Sequence, residues 1–125
     1  MTEKEFEGNA NEAIDSPWIG CMDLDVVDGS CVVTIVKVLW EEGIVFEGGR
    51  KEDKMTMAFK ETQKKLVMNS TNIKSCAKLF GPKLPKANWP GKKVELYIDP
   101  HVRDPNNPGQ FTRGVRIREH KGGVK

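Results

Sequence analysis

The chain has 125 residues, 38% hydrophobic and 30% charged, with 12 Gly and 7 Pro. These values fit one globular domain and exclude a collagen-like or wholly disordered chain. No apolar run approaches the ~20 residues that a membrane-spanning helix needs. The net charge of +2 conceals a split: residues 1–50 carry 3 basic and 11 acidic side chains, and residues 51–125 carry 17 basic and 7 acidic. Either the later part faces something anionic, or the two parts neutralise each other in the fold.

Residues 1–16 have no sustained apolar period and read as a flexible acidic N-terminal arm. Its polar, acidic start fits neither a secretory signal nor an Arg-rich transit peptide, so the expected location is the cytoplasm. Ser16 to Gly20 can anchor the arm through Trp18, an expensive residue to leave in water. Asp23, Asp25 and Asp28-Gly29 mark an acidic turn.

Cys31–Trp40 is β-branched and nearly all apolar, a strand buried on much of both faces. Simple alternation puts Val32, Thr34, Val36, Val38 and Trp40 on one side. Ile44-Val45-Phe46 continues it after a bulge at Gly43. Met55–Lys60 alternates, with Met55, Met57 and Phe59 inward and Thr56, Ala58 and Lys60 outward. Lys65–Met68 returns as the other half of a hairpin. A helix follows. Asn69 to Asn72 supply caps; Ile73, Cys76, Ala77 and Phe80 form one apolar stripe; Gly81-Pro82 stops it. A proline-punctuated loop over 82–90 leads to a strand at Val94–Ile98. A long loop over 99–110 leads to the last strand, Arg113–Arg118, with Val115 and Ile117 inward. A polar tail occupies 119–125.

Three strands, one helix between strands 3 and 4, then two strands is the order of an OB-fold, a five-stranded barrel plugged by its helix. The expected domain is 17–118. An SH3-like barrel with an added helix and an open α+β sheet are the competing arrangements.

Four motifs carry a family resemblance. They are Leu66, Asn69, Thr71 and Asn72; Ala77, Lys78, Phe80 and Gly81 at the helix end; Trp89, Gly91 and Lys92 at a strand entry; and Arg116, Ile117 and Arg118. Together they resemble a family of small phage and prophage proteins encoded among replication and recombination functions. The resemblance spans roughly residues 31–118 and implies an OB-like domain in a bacterial host cell. The acidic arm and the Pro-Asn-Asn-Pro loop lie outside it.

No catalytic constellation is legible. Cys21, Cys31, Cys76, His101 and His120 show no metal-ligand spacing, and the run from Asp23 lacks the Gly and Glu of a calcium loop. The cysteines match no disulfide scaffold and read as free thiols. There is no nucleophile elbow, P-loop or dinucleotide fingerprint. The expectation is a protein with no enzymatic activity, metal or cofactor.

Single-strand recognition needs cations for phosphates and aromatic faces for bases. Outward strand positions collect Lys60, Lys65, Lys93, Tyr97, Arg116 and Arg118. Trp40 and Trp89 are further aromatics, although each reads more naturally as core or barrel-end cover. The expected partners are single-stranded DNA or RNA and a phage or host replication or recombination protein, with no membrane. The competing reading is a protein-interaction module that binds or inhibits a host or phage enzyme.

Overall fold

The β-branched run lies inside a 16-residue strand, β1 (Ser30–Val45). It is the centre of a computed structural model that describes residues 2–14, 16–104 and 107–120. The other strands are β2 (Lys51–Phe59), β3 (Leu66–Val67), β4 (Lys93–Arg103) and β5 (Phe111–Glu119). They form one five-stranded antiparallel sheet in the order β3-β2-β1-β4-β5. Among the described residues three α-helices accompany it: α1 (Cys21–Asp25), α2 (Ser70–Phe80) and α3 (Pro85–Asn88). The fold is therefore mostly β, with more helices than the one expected. Five residues for α1 and four for α3 are too few to establish a helical period in sequence.

The strand β1 serves two partners in succession. Ser30–Thr34 pair with β4, and Ile35–Val45 pair with β2. The bulge expected at Gly43 is present as a register shift between Glu41 and Ile44, with Gly43 at φ 68. A second shift, between Ile35 and Lys37, corrects the simple alternation. The extra residue, Val36, turns Val38 and Trp40 onto the face of Ile35, opposite Met57 and Met55.

The core gathers Val33, Ile35, Met57, Phe59, Leu66, Met68, Val94, Leu96 and Ile117 from the strands and their ends, with Leu24, Cys76 and Trp89 from outside the sheet. Thr56, expected to face outward, is also buried; its hydroxyl donates to the Glu41 carboxylate at 2.6 Å.

The cap and stop signals of α2 act as read. Asn69 Oδ1 accepts the Asn72 backbone N–H at 2.9 Å. Gly81, at φ 93, donates its N–H to the Ala77 carbonyl at 2.8 Å. Cys76 is buried and Ile73, Ala77 and Phe80 pack against the core. Asn72 is buried as well, and its Nδ2 donates to the Val115 carbonyl of β5 at 3.1 Å. The edge strands β3 and β5 do not pair with each other, so the sheet is open there and α2 lies against β5.

The two tryptophans with open readings resolve in opposite senses. Trp89 is 1% exposed and its Nε1 donates to the Gly81 carbonyl at 2.9 Å. It covers the core and is no stacking surface. Trp40, opposite Met55 on β2, is 64% exposed.

Trp18 anchors the segment after the arm by a parallel bridge to Lys65, with Ile19 N–H donating to the Lys65 carbonyl and Lys65 N–H to the Pro17 carbonyl. Within the expected arm, residues 10–13 form a 3-10 turn, while residues 1 and 15 lie outside the described residues. Both β4 and β5 run further than expected, shortening the long loop to 104–110, of which 105 and 106 lie outside the described residues. Pro100 is tolerated at a register shift between Asp99 and Val102. Of the expected tail, 119 ends β5 and 121–125 lie outside the described residues. Among the described residues, no helix is long and apolar enough to cross a membrane.

Candidate nucleic-acid interface

Strand alternation places Val94, Leu96 and Ile117 in the core, and therefore turns Lys93, Glu95, Tyr97 and Asp99 of β4 and Arg116 and Arg118 of β5 to the opposite face. Register then decides who meets whom. Tyr97 lies opposite Arg116 and Glu95 opposite Arg118, while on the other side Tyr97 faces Ser30 and Lys93 faces Thr34 of β1.

Four of the six expected residues, Lys93, Tyr97, Arg116 and Arg118, share this face. Lys60 stands at its border, its N–H donating to the Thr34 carbonyl at 3.0 Å. Lys65 stands apart. It pairs with Glu41 at 2.7 Å and lies 5.6 Å from the Trp18 ring centre, so its charge is used within the fold.

The arginines are not loose cations. Arg118 Nε and a terminal guanidinium nitrogen each donate to Glu95 at 3.1 Å, a two-pronged pair. The same guanidinium lies 4.5 Å from the centre of the Tyr97 ring. The ring face expected to stack a base therefore carries Arg118. Arg116 is only 13% exposed along its side chain, 3.8 Å from Asp99. Arg113 forks onto Asp25 at 2.8 and 3.0 Å. Hydrogen bonding to Arg118 holds the Glu95 carboxyl below the ordinary carboxylate range, and Arg113 does the same for Asp25.

The lysines differ. From Thr62 to Val94 the chain contains no Asp or Glu, and it carries eight lysines. Lys64 and Lys65 are paired with Asp23 and Glu41. The remaining six, Lys74, Lys78, Lys83, Lys86, Lys92 and Lys93, are all exposed and make no ion pair among the described residues. Lys74 and Lys78 lie four residues apart, on one side of α2. Strand alternation singles out only Lys93 of these six. The acid-free run is the sequence signal that finds the others.

Lys78 connects the two sets. Together with Arg118, Glu95, Val32, Leu79 and Ile117 it lines a groove of about 880 Å³ between α2 and the end of β5.

Burial raises the Cys21 thiol above its ordinary value. Burial pushes the Cys76 thiol up to about 12 and raises Cys31 as well. All three are unpaired. Among the described residues, no three His, Cys, Asp or Glu side chains gather closely enough to hold a metal ion.

No family model, curated protein or solved structure matches this chain.

Proposed function

We propose that this protein is a non-enzymatic single-stranded nucleic-acid-binding protein, an accessory to replication or recombination of the phage type its motifs resemble. The observation that carries the reading is the set of six exposed lysines without carboxylate partners among the described residues, between positions 74 and 93, joined through Lys78 to the Tyr97–Arg118 face. Uncompensated cations beside an ordered aromatic and guanidinium surface suit a phosphate chain with splayed bases.

The OB-fold reading belongs to the same proposal. It is supported by the order β3-β2-β1-β4-β5, with α2 inserted between β3 and β4 and β1 shared between two partners, an order that a five-stranded barrel opened between its third and fifth strands would also have. The domain then spans 17–118, preceded by an acidic arm, in the cytoplasm of a bacterial host cell.

A second reading, a protein-interaction module, draws on the exposed apolar side chains Trp40, Val45, Leu84 and Phe111. A gel-shift panel with single-stranded DNA, RNA and duplex DNA across a salt series separates the two. The nucleic-acid reading expects single strands to shift at low salt, with affinity falling steeply as salt rises. No shift of any single strand at low salt overturns it and favours the interaction module.

A further inference from the structure

The groove between α2 and β5 is lined by Arg118 and Glu95 from the sheet and by Ser75, Lys78 and Leu79 from the helix. The Arg118 guanidinium has two restraints, the fork onto Glu95 and the Tyr97 ring, whose centre lies 4.5 Å away. Arg118 is nevertheless 52% exposed along its side chain, so it retains an accessible surface. A guanidinium plane is a stacking surface for a nucleobase, as an aromatic ring is. Fixing it beforehand removes the ordering cost that a free arginine side chain would incur on binding.

The surroundings suit a base better than a phosphate. Val32, Leu79 and Ile117 supply an apolar lining. The charge of Arg118 is already matched by Glu95, and Glu119 adds a carboxylate at the rim. Lys78 and His120 line the groove beside the two carboxylates, but a phosphate laid on Arg118 would meet the Glu95 carboxylate that already holds it, whereas an uncharged ring would not be repelled. Lys78, which lines the groove from the helix side, with Lys74 one turn away and Lys93 on the neighbouring strand face, offers charge for the flanking backbone. About 880 Å³ falls within the usual span of small-molecule sites and admits a nucleotide.

We propose that this groove takes one unstacked nucleobase, laid on the Arg118 guanidinium, while Lys74, Lys78 and Lys93 hold the adjoining phosphates. The inference rests on the nucleic-acid reading above and adds a position and a ligand. Glu95 and Tyr97 are positioning residues that restrain Arg118. A duplex is excluded, because its bases are covered on both faces by their neighbours.

The test compares a short labelled oligothymidylate with an abasic strand of the same length, by fluorescence anisotropy across a salt series. The wild type should prefer the base-bearing strand roughly tenfold. Arg118→Lys, which keeps the charge and removes the plane, should abolish that preference with the salt slope unchanged. Ser75→Trp, which fills the groove from its α2 wall, should do the same, so the conclusion does not depend on one variant. Lys93→Ala should weaken both strands equally and flatten the slope by about 0.7. Equal binding of the two strands by the wild type, or a preference that survives both Arg118→Lys and Ser75→Trp, overturns the groove while the nucleic-acid reading stands. No binding of either strand at low salt overturns that reading and the groove together.

Discussion

Two cationic regions of this molecule look alike in sequence and behave differently in space. On β5, Arg113, Arg116 and Arg118 each meet a carboxylate, from Asp25, Asp99 and Glu95 respectively. From α2 through α3 to the start of β4, six lysines meet none among the described residues. The difference teaches that a count of positive charge does not locate a polyanion site. A matched arginine orients its neighbours and contributes little net field, while an unmatched lysine keeps its full charge for a partner. It also answers the charge split. Asp23, Asp25 and Glu41 of the acidic part do neutralise Lys64, Arg113 and Lys65 of the basic part, and the lysines from 74 to 93 are what remains of the acid-free run.

The comparison can be broken most severely by dislodging the segment that carries the lysines. Trp89 pins the stretch after α2 through its burial and its bond to Gly81. Trp89→Ala is expected to cost about 3–5 kcal/mol of stability, read by chemical denaturation. A loss below about 1 kcal/mol would mean that the segment is held by something else.

Next in size is removal of the charge itself. Replacing Lys74, Lys78, Lys83 and Lys86 together by Ala should lower single-strand affinity on the order of 100-fold at low salt and flatten the salt slope by about 0.7 for each phosphate no longer neutralised. The melting temperature should hardly change, because these side chains are exposed to water and hold no carboxylate among the described residues. The same assay on an Arg113→Ala, Arg116→Ala double variant should show a much smaller change in affinity. Equal decreases from the two sets would erase the distinction between matched and unmatched cations.

A smaller effect concerns the helix that presents Lys74 and Lys78. Asn69→Ala removes the side-chain acceptor at its first turn and should cost about 1 kcal/mol. An unchanged denaturation midpoint would show that the cap is dispensable.

The smallest effect sharpens the arginine side. Asp25, Glu41 and Glu95 all titrate below the ordinary carboxylate range, chiefly through hydrogen bonds from Arg113, Lys65 and Arg118. A carboxyl whose folded value is depressed contributes stability above its unfolded value, and that contribution is lost as pH falls through the folded one. The melting temperature should therefore hold from neutrality to about pH 5 and decline below about pH 4. Glu95→Gln should make that decline shallower. A decline of unchanged steepness would remove Glu95 from the account. These exposed pairs should shift melting only modestly.

Much of the sheet was legible because its causes are local. The alternation of Met55, Met57 and Phe59, the Asn69 cap, the Gly81 stop and the Gly43 bulge each depend on a few neighbouring residues. The candidate face was legible in part for the same reason: a period of two assigns Lys93, Tyr97, Arg116 and Arg118 to one side of their strands. The bulge at Val36 was not legible, because no glycine marks it and only the change of partner from β4 to β2 reveals it. Nor was the inversion of the tryptophans, since the burial of Trp89 depends on its packing and on its bond to Gly81, eight residues away.

Five strands, the capped helix, the asymmetric charge and the acid-free run from Thr62 to Val94 are legible in the order of residues alone. Side-chain period, capping chemistry and net charge are properties of adjacent residues and need no knowledge of distant ones. Only tertiary packing decided which cations are matched, that the Arg118 guanidinium lies over Tyr97, and that Lys65 is drawn to Glu41. An ion pair or a stack joins residues whose separation along the chain is arbitrary: 23 positions for Glu95 and Arg118, 88 for Asp25 and Arg113. Register and packing set those distances, and a charge pair a few ångströms apart interacts far more strongly than one separated by a screening length.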